Sequence, residues 1–244
     1  MDFTIHVAKV VHIFGLEIWI TESMINAWII GGVLILIAFL INRAMKKSKK
    51  VPSGLQNVVE FLIESLDNFA VSTMGESGKR FGSFYGSMLI FLMVCNISGL
   101  FLGPNIGTAE AGSPKVLIDF MRPPTADFAL TFALALITFV MIQGFSVKEH
   151  GVLKWLKGLT EPLWPMTPLN IIGELANPIS LSFRLFGNIL GGTIIMGLYY
   201  NLPWWSLVGI PVALHAYFDI FAGLLQAFIF VMLSMTFVSS AIDG

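Results

Sequence analysis

The chain has 244 residues, of which 56% are hydrophobic and only 12% charged. Soluble domains carry roughly twice that charge fraction, and the mean hydropathy is +0.82. This composition excludes a disordered chain, a coiled coil and an ordinary soluble enzyme domain. The formal net charge of -1 gives no bulk attraction to a polyanion, so nucleic acid is not an expected partner. The single cysteine, Cys95, forms neither an internal disulfide nor a dithiol redox pair.

The first stretch, Met1 to Ile13, holds Asp2 and Lys9. It lacks a basic region followed by an apolar core, so it does not read as a signal peptide, and it is not an Arg-rich transit sequence. A bilayer core of about 30 Å needs about 20 helical residues, and five runs qualify. Ser23 to Ile41 is the first, closed by Asn42 and Arg43. Pro52 to Gly75 follows, with Leu55, Val58, Val59, Leu62, Ile63, Leu66, Phe69 and Ala70 at helical spacing and Glu60, Glu64 and Asp67 on the other face. That pattern predicts an amphipathic helix, lying on the membrane surface or packed on the bundle.

The second span is Phe81 to Leu102 and carries Asn96; Gly103 to Arg122 is a loop. Pro123 to Asp127 leads into the third span, Phe128 to Val147, with Thr125 or Asp127 as a helix-start cap. The fourth run is Pro168 to Leu202 and the fifth Trp204 to Ile242. About 35 helical residues measure about 52 Å, so both must tilt strongly, break or leave the bilayer. Pro178 and Pro211 are the candidate kinks, and Asn201-Leu202-Pro203 is the turn between the runs.

The expected architecture is therefore an all-α integral membrane protein with five membrane helices, the last two long and strongly tilted, plus an amphipathic interfacial helix. It reads as one membrane domain: 1–50 the first span and its basic end, 51–80 the interfacial helix and loop, 81–147 a two-span hairpin, 148–244 the long tilted hairpin. Neither an internal repeat nor inverted halves are visible.

Basic residues set the orientation. Arg43, Lys46, Lys47, Lys49, Lys50, Lys79, Arg80, Lys148, Lys154 and Lys157 fall on one side, against Lys9, Lys115 and Arg122 on the other. The rich side is expected to be cytoplasmic, which puts the N-terminus outside and the C-terminus inside.

Arg184 sits in the middle of the fourth run. A charge near a helix centre costs about 2.5–3.5 kcal/mol on insertion scales, and arginine keeps its proton at any accessible pH. Such a charge is kept only where it meets water or a counter-ion. Helical steps align it with Asn177, Ser180, Gly187, Asn188 and Gly191, one polar and small-residue stripe on an apolar helix. Glu174 is about 15 Å back along the axis and on another azimuth, too far for an intrahelical pair. The fifth run has a second stripe, His215, Asp219, Gly223 and Gln226. An imidazole, a carboxylate and an amide on one membrane face suit a hydrated ion path; packing glue is the bland alternative.

The segment Ser180-Leu181-Ser182-Phe183-Arg184-Leu185-Phe186-Gly187-Asn188 resembles subunit a of bacterial F-type ATP synthases. Leu225-Gln226-Ala227-Phe228-Ile229-Phe230, Pro124-Thr125-Ala126-Asp127 with Leu130 to Leu136, and Val94-Cys95-Asn96-Ile97-Ser98-Gly99-Leu100 carry the same resemblance, in the family's order. The first 80 residues match only in layout. The resemblance implies an ion-translocating stator that faces a ring of c subunits, with b subunits of the peripheral stalk and the rest of the synthase as further partners. Two half-channels would reach the c-ring carboxylates from opposite sides, with Arg184 between them. Gln226 would orient Arg184, Asn188 and Ser180 would flank it, and Asp219 with His215 would line the external path. Glu174 and Glu161 are the candidates for the cytoplasmic side.

Two positions depart from the common pattern. Thr193 stands where many members carry an acid nine residues after the arginine, and Asp219 stands where many carry His or Glu. The chain is expected to bind no cofactor and to catalyse nothing by itself. It would move H+ or Na+ in a bacterial plasma membrane. A stand-alone carrier or channel is the alternative, and a scaffold without an ion path is a further one.

Overall fold

The computed structural model describes residues 7–13, 16–46, 54–102, 123–160, 164–201 and 209–243. The elements in chain order are β1 (Val7–Ile13), β2 (Leu16–Thr21), α1 (Glu22–Met45), α2 (Leu55–Met74), α3 (Gly78–Leu102), α4 (Phe128–His150), α5 (Val152–Thr160), α6 (Thr167–Tyr199), α7 (Ile210–His215) and α8 (Gly223–Asp243). A π-helical segment, Ala216–Ala222, joins α7 to α8. Among the described residues five helical stretches are long and apolar enough to cross a membrane: Ser23–Met45, Leu55–Gly99, Phe128–His150, Trp164–Tyr199 and Ile210–Asp243. The membrane-helix architecture read from the sequence is the architecture observed.

α1 shows why a bilayer is needed. Trp28, Ile29, Val33, Ile35, Leu36, Phe39 and Leu40 are all exposed on it. A helix apolar on every side yet uncovered by protein is stable only with lipid as its solvent.

Several expectations change. β1 and β2 form an antiparallel hairpin that pairs His12 with Glu17 and Ile13 with Leu16, an element the span-by-span reading missed. α5, a short helix just beyond α4, was missed as well. Pro211 does not kink the last run; it lies in the first turn of α7, where a missing N–H costs nothing. The irregularity falls instead in the π-helical segment a turn later. Pro178 is accommodated inside α6, which runs as one helix of 33 residues, about 50 Å. The loops at 103–122 and 202–208 lie outside the described residues, and so does most of the Asn201-Leu202-Pro203 turn.

The described residues fall into two compact units. The first draws on 1–47, 90–127 and 186–227, the second on 48–89, 128–185 and 228–244. In the first, the Thr21 hydroxyl accepts from the Met24 amide at 3.3 Å and so caps α1. Thr21 and Ser23 also donate to the Asp127 carboxylate, at 3.1 and 2.7 Å, which ties the start of α1 to the entry of α4. Thr125 is not a helix cap: it is buried and its hydroxyl oxygen has no hydrogen-bond partner.

In the second unit α2 turns into α3 through a tight 3-10 segment, Gly75–Ser77. Gly78, Gly82 and Gly86 recur every four residues, on one face of α3. A Cβ at Gly78 would lie 2.4 Å from the Ala70 carbonyl oxygen, and one at Gly82 would meet the Asp67 carboxylate. The stripe lets the two backbones approach as closely as small-residue helix interfaces allow. The C-terminal half of α2 is thus packed on the bundle, and Phe69 stacks on Phe228 with ring centroids 5.0 Å apart. Its first half keeps Leu55, Val58, Phe61, Leu62 and Ile63 exposed.

Candidate functional site

The first unit holds most of the polar groups singled out in the last two runs. α6 ends at Tyr199 and the chain turns at Tyr200 and Asn201. α7 begins at Gly209–Ile210, with Pro211 fixing its first turn. His215 is the last residue of α7, and Asp219 lies four residues on, within the π-helical segment. His215 Nδ1 is 2.5 Å from Asp219 Oδ2. On the other side of the ring, His215 Nε2 is 2.8 Å from the Tyr200 hydroxyl. The two residues expected to work together are therefore in direct contact, and Tyr200 joins them as a third member that the sequence reading did not name. The His215 and Asp219 side chains are 19% and 25% exposed.

Asn96 on α3 is 1% exposed. Its Nδ2 donates to the Gly223 carbonyl at 2.7 Å, at the junction of the π segment with α8. A Cβ on Gly223 would stand 3.2 Å from the Asn96 Cβ, so glycine permits this approach. Asn96 thus fixes the register at which the last helix resumes, and its Oδ1 is left buried without a partner. The Nε2 of Gln226 and the Nδ2 of Asn188 are buried without a partner too. Native proteins leave few such atoms unpaired. Gly192 comes close to Phe218 of the π segment, 3.2 Å from its Cβ to an added Cβ. Thr193 spends its hydroxyl on the Ile189 carbonyl at 2.9 Å, a bond within its own helix.

The second unit holds Arg184, Ser180 and Glu174, all on α6. Arg184 and Ser180 are exposed. Among the described residues Arg184 makes neither a hydrogen bond nor an ion pair. Leu181, Ser182 and Leu185, beside it in sequence, are buried. The helix therefore turns Leu181, Ser182 and Leu185 inward, while Phe183 and Arg184 are exposed. Among the described residues Glu174 pairs with no cation; it accepts from Gln143 Nε2 at 2.9 Å. Gln143 Oε1 in turn accepts from the Trp155 indole at 2.8 Å. α4, α5 and α6 thus meet at a carboxylate–amide–indole chain beside Lys148, Lys154 and Lys157 of α4 and α5. Gln143, a lone amide in an apolar span, was the sequence signal for it. Glu161 lies outside the described residues. Among those described, no group of three His, Cys, Asp or Glu could hold a metal ion.

Residues 24–239 match the family model described as ATP synthase A chain. The chain is 32% identical over 241 residues to the sodium ion specific ATP synthase subunit a of Propionigenium modestum, covering 99% of this chain and 80% of the relative. It is 34% identical over 223 residues to ATP synthase subunit a 1 of Syntrophotalea carbinolica, covering 89% and 84%. With ATP synthase subunit a of Moorella thermoacetica the identity is 30% over 236 residues, covering 96% and 97%.

Proposed function

We propose, because this chain belongs to the ATP synthase A chain family, that it is the ion-translocating stator subunit of an F-type synthase in a bacterial plasma membrane. Arg184 carries the reading. It is a permanent cation in a membrane helix, exposed at the surface of the chain and without an internal partner among the described residues. A carboxylate of the c ring is the counter-charge this reading gives it, opposite in sign to the guanidinium.

A fixed guanidinium lowers the pKa of a carboxylate brought beside it, or displaces the Na+ bound there. Either way the ion is released on one side of the arginine. The same charge repels a cation crossing directly from one path to the other. Each rotor step then uses the membrane potential, about 2.3 kcal/mol per charge per 100 mV. Gln226, Asn188 and Ser180 are the further polar residues that the family's motifs assign to the ion path. Asp219 and His215 serve the external path, and Glu174 the cytoplasmic one. The b subunits hold the chain against rotation, and ATP chemistry takes place on other subunits. The N-terminus is outside and the C-terminus in the cytoplasm.

In the assembled complex, Arg184→Ala is expected to abolish ATP synthesis driven by an imposed ion gradient. Wild-type synthesis by an assembled mutant would contradict the proposal.

A further inference from the structure

We propose that Gln143 and Trp155 are positioning residues for Glu174: the short helix α5 clamps the Gln143 amide, and the amide holds the Glu174 carboxylate at the cytoplasmic mouth of the ion path. The proposal rests on the stator reading and on the cytoplasmic place which that reading gives Glu174.

A turn brings the three groups together. α4 ends at His150, and Gly151 follows with φ +79, a left-handed conformation that glycine adopts without strain. Its amide donates to the Val147 carbonyl at 2.9 Å, and its carbonyl accepts from the Trp155 amide at 3.0 Å. The Trp155 ring thereby returns to a residue twelve positions earlier. Its indole N–H donates to Gln143 Oε1 at 2.8 Å, and Gln143 Nε2 donates to Glu174 Oε2 at 2.9 Å. All three side chains are half-buried.

Donor chemistry gives this chain of bonds one direction. An indole only donates, whereas an amide both donates and accepts. With the indole on its oxygen, the amide must present its NH2 to α6, where the carboxylate accepts. Without the indole N–H the amide is free to turn over and set its oxygen against the carboxylate. Trp155 therefore acts on Glu174 only through Gln143. The tether takes one carboxylate oxygen. Among the described residues Glu174 Oε1 has no hydrogen-bond partner, and it is the atom left to meet an ion.

Charged neighbours do not hold the carboxylate instead. α4 brings Lys148, Glu149 and His150, and α5 brings Lys154 and Lys157. On α6 itself Arg184 is about 15 Å further along the axis. Among the described residues none of these pairs with Glu174.

The test is ATP-driven ion uptake by vesicles holding the whole complex with its cytoplasmic face outward, subunit content matched. The rate is followed against the outside ion concentration, as pH in Na+-free medium and as Na+ at fixed pH with a protonophore present. Hydrolysis by the detached catalytic sector is the baseline at each pH. Gln143→Leu and Trp155→Phe keep most of the bulk and lose the polar contact. Each is expected to shift the half-saturating concentration roughly three- to ten-fold, the worth of about one net hydrogen bond. Both shifts should have the same direction and exceed any fall in the maximal rate. The double variant is expected to shift it no further than Gln143→Leu alone, since residues acting in series are not additive. In a Glu174→Gln background, itself shifted, Gln143→Leu should have no further effect. Half-saturation unchanged in Gln143→Leu or in Trp155→Phe overturns the proposal. So do additive shifts, or a loss confined to the maximal rate, which a merely structural contact would give. Arg184→Ala separates the two claims: uptake surviving that change removes the stator reading itself, whereas uptake lost there, with half-saturation unmoved by Glu174→Gln and Gln143→Leu, removes only the clamp.

Discussion

Asp219 is the most exacting position on the proposed external path, because its carboxylate lies against the His215 imidazole and is the acid that the proposal places there. Asp219→Asn keeps the shape and removes the charge. Ion uptake by the assembled complex is expected to fall by about ten-fold or more, and ATP hydrolysis by the detached catalytic sector should not change. Unaltered uptake would move the path elsewhere. The residues that the sequence revealed are those that cost most to place in a membrane. Arg184, Asp219 and His215 stand out because a charge in an apolar run demands a reason. Tyr200 did not stand out. A tyrosine where a span meets its loop is ordinary at a membrane interface, and only the fold shows that its hydroxyl reaches His215 across the turn. The sequence offers Glu174 as a candidate for the cytoplasmic side; Gln143 and Trp155 become its partners only when α5 folds back beside α4.

The helices were readable because a run of apolar residues as long as the bilayer is thick has one stable form, with every backbone bond made inside the segment. The break in the last run was placed at Pro211, since proline is the usual cause of a kink. The structure puts proline at the helix start and the irregularity at Ala216–Ala222. A π turn has no compositional mark, and here Asn96 binds at its end from another helix. The β1–β2 hairpin was hidden for a related reason: Val7–Ile13 and Leu16–Thr21 are short apolar runs in a chain full of apolar runs. The Gly78, Gly82 and Gly86 spacing was open to reading and marks a close helix pair. Gly78→Ala is expected to destabilise the α2–α3 hairpin by roughly 1–3 kcal/mol, the usual cost of overpacking, because the added methyl would meet backbone rather than a movable side chain. The check is thermal unfolding of the purified chain in detergent; an unchanged midpoint would show that the helices separate freely.

For the chain as a whole, the observations converge on a protein built to be completed by others. α1 buries little of its apolar surface against the rest of the chain, and Arg184 on α6 is exposed without a partner among the described residues. Both are costs for an isolated chain; lipid would remove the first, and the proposed rotor carboxylate the second. The basic residues gather at one side of the predicted spans, as an oriented membrane protein requires. Membership of the ATP synthase A chain family fits a chain whose function lies at its outer face.

The central claim is that Arg184 couples ion movement to rotation. ATP-driven ion uptake should therefore be compared between vesicles carrying the wild-type complex and vesicles carrying Arg184→Ala, with subunit content matched. Uptake lost in a mutant that is fully assembled is the predicted result; uptake at the wild-type rate would contradict it.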